Sequence, residues 1–281
     1  MTEKLIYKAD GDDPKMIEAF QNAQKTFKYF WRELSWEYRR IVPALAVAYV
    51  KIAFMQETED SDDPIVEHMW IDEVMFDGNN VMGVLLNDPN QLTNVANGDS
   101  VNVPLSQISD WLFAISDHSP KKGLSKLFSS TPKPKTYGGF TIQVLRSEMT
   151  KQERKKHDNA WGLDFGDCDE VLLVYEQEEN PENLIEHPMS RNMREKFIDS
   201  LKEQPEEITS ADEDGYTLLH RETIAGNLTS VEVLLSLGAD KNAKTNQGDT
   251  ALDFARKMNW EHIIPVLENN GTHAITAECI P

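Results

Sequence analysis

Residues 215–271 repeat at a spacing of 33, and this period restricts the fold more than any other feature of the chain. Gly215, Thr217, Leu219, Leu234 and Gly238 recur as Gly248, Thr250, Leu252, Leu267 and Gly271. A unit this short cannot bury an apolar face alone, so neighbours must cover one another in a stack. Each recurring position has a physical task. Asp214-Gly215 makes a turn into a helix, and Thr217 and Thr250 stand where a hydroxyl can cap it. Gly226 permits a sharp break between two helices, and Asn259, which tolerates left-handed backbone, replaces it in the second unit. The leucines form the face that the next unit covers, and Gly238 ends the second helix in a left-handed conformation.

The first unit also carries Tyr216-Thr217-Leu218-Leu219-His220, Gly226-Asn227-Leu228, Leu234-Leu235 and Gly238-Ala239-Asp240. With these it resembles the ankyrin repeat. The resemblance implies paired helices, exposed turns that contact proteins, and a structural role for His220 in bracing adjacent turns. The second unit departs from the pattern, with Asp253 in place of the histidine. In the first, Glu222 and Thr223 replace small residues, which predicts looser helix packing. Two units are fewer than the roughly three a free-standing stack needs. Ile198 and Leu201, one period before Val231 and Leu234, mark a partial capping repeat in the helical stretch 193–203, which Pro205 ends. The stack is still expected to lean on the preceding domain.

The expected class is α+β, with a mixed sheet-and-helix domain over 1–192 and an all-α repeat domain over 193–281. In residues 14–38, Ile17, Phe20, Ala23, Phe27, Phe30, Trp31 and Leu34 follow the spacing of a helical stripe. Residues 47–54 alternate as a strand, with Ala48, Val50, Ile52 and Phe54 on one face. Residues 65–76 and 81–86 read as two strands joined by Asp77-Gly78-Asn79-Asn80. Residues 101–105 read as a short strand, 108–115 as strand or helix, and 170–175 as an apolar strand. Thr150 and Glu153 form a capping box that opens a helix reaching about Trp161. Helices mixed with antiparallel hairpins argue against a doubly wound sheet.

Five further motifs occur in order: Glu67-His68-Met69-Trp70-Ile71, residues 83–89, Gly98-Asp99-Ser100-Val101, Ile108-Ser109-Asp110-Trp111 and Gly138-Gly139-Phe140-Thr141. Over about residues 14–146 these resemble the YegJ-like bacterial family, domain-of-unknown-function family 2314. The resemblance implies a fold, sometimes joined to ankyrin repeats, and no established activity. Residues 186–193 have no place in either pattern.

Chemistry-bearing patterns are few. Glu67 and His68 are adjacent, so on a strand they point to opposite faces. His68 and Asp72 share a face about 13 Å apart, too far for a hydrogen bond. Asp99, Asp110 or His187 would have to complete a site from a distance. The candidate ligand or partner pocket is therefore Glu67, His68, Trp70, Asp72, Asp99, Asp110 and Trp111, set against the blander reading of a half-buried histidine beside core tryptophans. No catalytic residue is assigned, and no Walker loop, dinucleotide fingerprint, zincin motif or nucleophile elbow occurs. Residues 60–64 imitate a calcium loop, but Pro64 and Ile65 occupy positions that need a ligand and a glycine. No metal or cofactor is expected.

Charge and cysteine usage then narrow the function. The chain has 28 Lys and Arg against 48 Asp and Glu, a formal charge of −20. That field opposes nucleic acid and anionic membranes and favours basic partners, or serves solubility alone. Residues 118–137 hold five lysines and no acid, whereas 163–190 hold nine acids and no Lys or Arg. Either these are a basic loop and a solvated acidic face, or the two segments meet. Cys168 and Cys279 are the only cysteines, which favours a reducing compartment. Residues 1–7 lack a secretory layout, and the apolar run 41–54 contains Lys51 and is too short to span a bilayer. The expectation is a cytoplasmic, non-catalytic protein that binds a basic partner, for example as an immunity protein neutralising a toxin. The alternative is an enzyme or small-ligand sensor with a pocket at His68 and Trp70.

Overall fold

Asp13 opens helix α1 (Pro14–Glu37): its carboxylate accepts the Lys15 N–H at 2.9 Å, and Pro14 occupies a first-turn position that needs no donor. The buried stripe of α1 runs through Met16, Ala19, Ala23, Phe27, Phe30, Trp31 and Leu34. Ile17, expected in the stripe, is 42% exposed instead. The computed structural model describes residues 13–58, 61–116 and 132–268, with the side chains of Ser61 and Asp62 excepted. Gly271, Cys279, Asp60, the N-terminal seven residues and Lys121, Lys122 and Lys126 lie outside the described residues.

The protein is α+β. A six-stranded antiparallel sheet comprises β1 (Leu45–Thr58), β2 (Ser61–Phe76), β3 (Asn80–Leu85), β4 (Ser100–Pro104), β5 (Ile108–Ile115) and β6 (Lys135–Gly138), in the order β4-β3-β2-β1-β5-β6. Trp111, Val50, Ile71 and Leu85 pair successively across β5, β1, β2 and β3, and none is more than 1% exposed. α1 packs against β5 on this face, where Trp111 Nε1 donates to the Ala23 carbonyl at 3.0 Å. Two further helices, α2 (Phe140–Glu148) and α3 (Lys151–Trp161), follow β6. Thr150 and Glu153 close the predicted capping box of α3. Ile142, Leu163 and Phe165 form a second core with Leu112 and Ala114, and Tyr49, Trp70 and Trp161 pack at its edge.

Residues 170–175 are not a strand. Their ladder is a single bond, Gly138 N–H to the Leu172 carbonyl at 2.8 Å, before Val174 enters a turn. Leu173 N–H turns to the Gln177 side chain instead. Apolar composition was a weak signal without a second strand to pair with.

The described residues divide into two compact units, the first ending at Leu184 and the second beginning at Ile185. In the second, α4 (Pro188–Asn192) packs on α5 (Arg194–Glu203), α6 (Leu218–Ile224) on α7 (Leu228–Ser236), and α8 (Ala251–Lys257) on α9 (Ile264–Glu268). α5 also packs on α7, and α6 on α8. Leu201, Leu234 and Leu267 recur one period apart, one in each of α5, α7 and α9, and are buried at 1%, 0% and 3% exposure. Glu222 and Thr223 stand inside α6. Both are buried, and Glu222 accepts from Asn227 Nδ2 at 2.8 Å.

Residues 186–193, unplaced by sequence, belong to this second unit. Glu186 is buried, and its Oε1 accepts from the Ser190 hydroxyl (2.6 Å) and the Thr229 N–H (2.7 Å). Thr229 lies in the first turn of α7, whose N-cap Asn227 offers no side-chain bond. Glu186 therefore supplies from another helix pair the acceptor that α7 lacks. Among the described residues no helix is long and apolar enough to cross a membrane.

Candidate functional site

Lys51 on β1 pairs with Trp70 on β2 and with Asp110 on β5, so three neighbouring strands present these side chains in one row. Lys51 Nζ lies 5.4 Å from the centre of the Trp70 ring and donates to Thr141 Oγ1 at 3.3 Å. Asp110 is fully buried. Its Oδ1 accepts the N–H of Trp111 (2.8 Å) and of Phe140 (3.0 Å). Its Oδ2 accepts the N–H (2.8 Å) and the hydroxyl (2.5 Å) of Thr141. A carboxylate has about four lone-pair sites, and all are filled.

Phe140 and Thr141 are the first residues of α2, and the N-cap, Gly139, has no side chain to offer. Asp110 reaches from the sheet to cap that helix, with its charge at the positive end of the helix dipole. Gly138 and Gly139, at φ 73° and 78°, turn the chain from β6 into α2. A Cβ on Gly138 would stand 2.3 Å from the Trp111 carbonyl oxygen, so the glycine is required by both dihedral and contact. The motifs containing Asp110 and Gly138 are thus two halves of one joint. Burial pushes the Asp110 carboxyl pKa up and the Lys51 ammonium pKa down, and each charge opposes the other's shift. With its lone pairs occupied, Asp110 anchors the start of α2.

The other candidate residues disperse. Trp111 points to the α1 face, and its Nε1 also lies 3.2 Å from Thr26 Oγ1. Glu67 accepts the N–H of Asn90 (2.8 Å), Leu92 (3.2 Å) and Gln91, fixing that loop to β2. Burial alone would raise its carboxyl, but those N–H groups outweigh it and hold the pKa low. Asp99 is exposed and accepts the Ala96 N–H at 2.8 Å within its own turn. Asp72 lies near Tyr49, whose phenol is raised by burial and then by that carboxylate. Trp70 meets Trp161 edge-on at 6.0 Å. His187 belongs to the second unit, where its Nδ1 accepts the Met189 N–H. Lys51 and Thr141 were the residues absent from the sequence-derived set. The available signal was a single lysine inside an apolar run.

His68 stacks on Phe20 with ring centres 4.9 Å apart, and its Nδ1 is buried without a hydrogen-bond partner among the described residues. Burial and then Lys51 depress its pKa to about 4 from 6.5. The folded state therefore binds fewer protons than the unfolded chain between those values, so stability falls as pH drops from about 6.5 to about 4. The linked loss is at most about 3 kcal/mol, less where solvent screens the ring. Denaturant midpoints across that range should show the slope in the native chain and a shallower one in His68→Phe. Parallel slopes would refute this account of the ring.

Among the described residues, Asp167, Cys168 and Asp169 bring three donor atoms within 4.8 Å of one another. An Arg154 guanidinium nitrogen lies 3.0 Å from Cys168 Sγ, a fixed cation that opposes a metal ion there. Of the basic segment, Lys135 meets the acidic segment at Glu178, 3.2 Å away, as an exposed pair worth at most about 1 kcal/mol.

The family model described as "Uncharacterized protein conserved in bacteria (DUF2314)" matches residues 13–165. A protein of Neisseria meningitidis serogroup B named "Putative ankyrin repeat protein" is 47% identical over 268 residues, 95% of this chain and 98% of that protein. The Escherichia coli K12 uncharacterized protein YegJ is 30% identical over 93 residues, 33% of this chain and 50% of its own length.

Proposed function

The chain belongs to the DUF2314 family of bacterial proteins, and we propose for it a non-catalytic protein-binding role in which the 33-residue helix pairs, as ankyrin-type repeats, dock the partner. The carrying observation is the bonding of one turn to the next at the repeat period. Asn246 N–H donates to the Asp214 carbonyl at 2.9 Å, and Asn246 Nδ2 to the Glu213 carbonyl at 2.8 Å. His220 takes Thr217 on its Nδ1 at 2.9 Å and reaches the Ala243 carbonyl with Nε2 at 3.1 Å. Gly215 and Gly248 are both left-handed, at φ 82° and 92°, as are Gly226 and Asn259 at 74° and 52°. Such bracing holds exposed turns at fixed spacing, which is what a recognition surface needs. The name of the Neisseria relative supports the same reading.

The filled lone pairs of Asp110 and the scatter of Glu67, Asp72 and Asp99 support a binding role over an enzymatic one. The formal charge of −20 supports a basic partner, with fast and salt-sensitive encounter. A toxin neutralised by this chain would be one such partner. The test is affinity capture of the full chain from native lysate at low and moderate salt, beside Glu213→Lys at an exposed turn. One basic protein, recovered at low salt and lost with the substitution, is expected. A co-purifying small molecule converted by the chain would overturn the proposal.

A further inference from the structure

Lys133, Lys151, Arg154 and Lys155 line a cleft of about 430 Å³ beside α3, an unusual concentration of cations in so acidic a chain. Lys151, Arg154, Lys155 and Asp158 fall at helical spacing on one face of α3. Lys133 is held at the far end of the helix, donating to the Asp158 carbonyl (2.7 Å) and to Asn159 Oδ1 (2.8 Å). The N-terminus of α3 is already closed by its capping box, so the cleft lies along the helix flank.

Two carboxylates also line the cleft, and only Asp158 is ion-paired. Asp158 makes a bidentate pair with Arg146 (3.0 and 2.9 Å), and Asp164 Oδ1 accepts the Gly166 N–H at 3.0 Å. Arg154 is the least satisfied group. One guanidinium nitrogen donates only to the Cys168 sulfur, a weak acceptor, and its Nε is shielded from solvent without a hydrogen-bond partner among the described residues. A buried cationic donor left unmet is costly, and the crowding of like charge around it adds to the cost. An oxyanion in the cleft would relieve the crowding of like charge.

We propose that this cleft binds a phosphate group carried by a soluble ligand, with the Arg154 guanidinium and the Lys151 and Lys155 ammonium groups as its cationic lining. Phosphate offers acceptors in several directions at high charge density, which suits donors converging from a helix flank and a guanidinium edge. The net charge of the chain disfavours a membrane headgroup as the source. The site is independent of the repeats and of the function proposed for them.

The full chain should be titrated with inorganic phosphate, and separately with acetate, at constant ionic strength, followed by calorimetry and amide NMR shifts. Saturable phosphate binding is expected, with acetate roughly tenfold weaker or more. Arg154→Gln should abolish it. Lys151→Gln with Lys155→Gln, both at exposed positions, should weaken it roughly tenfold with the circular dichroism spectrum unchanged. Lys244→Gln in the second unit should change nothing. An absence of saturation below about 10 mM, an equal response to acetate, or undiminished binding in the double lysine variant would overturn the proposal.

Discussion

Asp110→Ala should destabilise the first unit by about 3–5 kcal/mol, the range found when one partner of a buried charged network is removed. The substitution strands the N–H groups of Trp111, Phe140 and Thr141 and the Thr141 hydroxyl, all now within 3.0 Å of the carboxylate. It also leaves the Lys51 ammonium in a buried setting without its counter-charge. Urea unfolding monitored by tryptophan fluorescence gives the loss directly, since Trp111 and Trp70 report on the two faces of the sheet. The Asp110→Ala, Lys51→Met pair should recover part of the loss, because it removes the orphaned charge while leaving the uncapped helix. A single-variant loss below about 1 kcal/mol would show that the carboxylate does not hold this joint, and would reopen it as a group available for chemistry.

The joint shows which parts of such a fold a sequence discloses. Helix α1 was legible because Asp13, Pro14 and a stripe of apolar residues are all local. The β2–β3 hairpin was legible for the same reason, its turn written as Asp77-Gly78 with Asp77 accepting the Asn79 and Asn80 N–H groups at 2.7 Å. β5 stayed ambiguous between strand and helix because Ile108 to Ala114 are buried without a break, and a segment covered on both faces carries no period. α2 was missed altogether. Its cap comes from Asp110, thirty residues upstream, and nothing near Gly139 in the sequence marks a helix start. Glu186 and α7 repeat the lesson across 43 positions. For the candidate site the consequence was specific. The motif residues that looked like a dispersed polar pocket include several that anchor loops and a helix, while Lys51, which links two of them, looked like an interruption in an apolar run.

Leu234→Ala should cost the second unit about 2–5 kcal/mol, the range for emptying a buried leucine site. Leu234 is 0% exposed in α7, and its carbonyl takes the Ala239 N–H at 3.0 Å where the helix turns out into the following loop. α5 and α6 both pack on α7, so the side chain sits where relaxation is constrained from two directions. The equivalent changes at the flanking registers, Leu201→Ala and Leu267→Ala, should cost less, since the α6–α7 pair packs against both other pairs, through α5 and through α8, and those are the end pairs. In a stack whose units cover one another, the middle position bears the largest loss, and this ordering distinguishes a seam from three unrelated leucines. Chemical denaturation of the three full-length variants, followed by far-ultraviolet circular dichroism, measures it. Equal losses at all three positions, or a loss at Leu234 below that at Leu267, would mean that the helix pairs are not coupled through this seam. The 33-residue period would then reflect local turn geometry without a shared core.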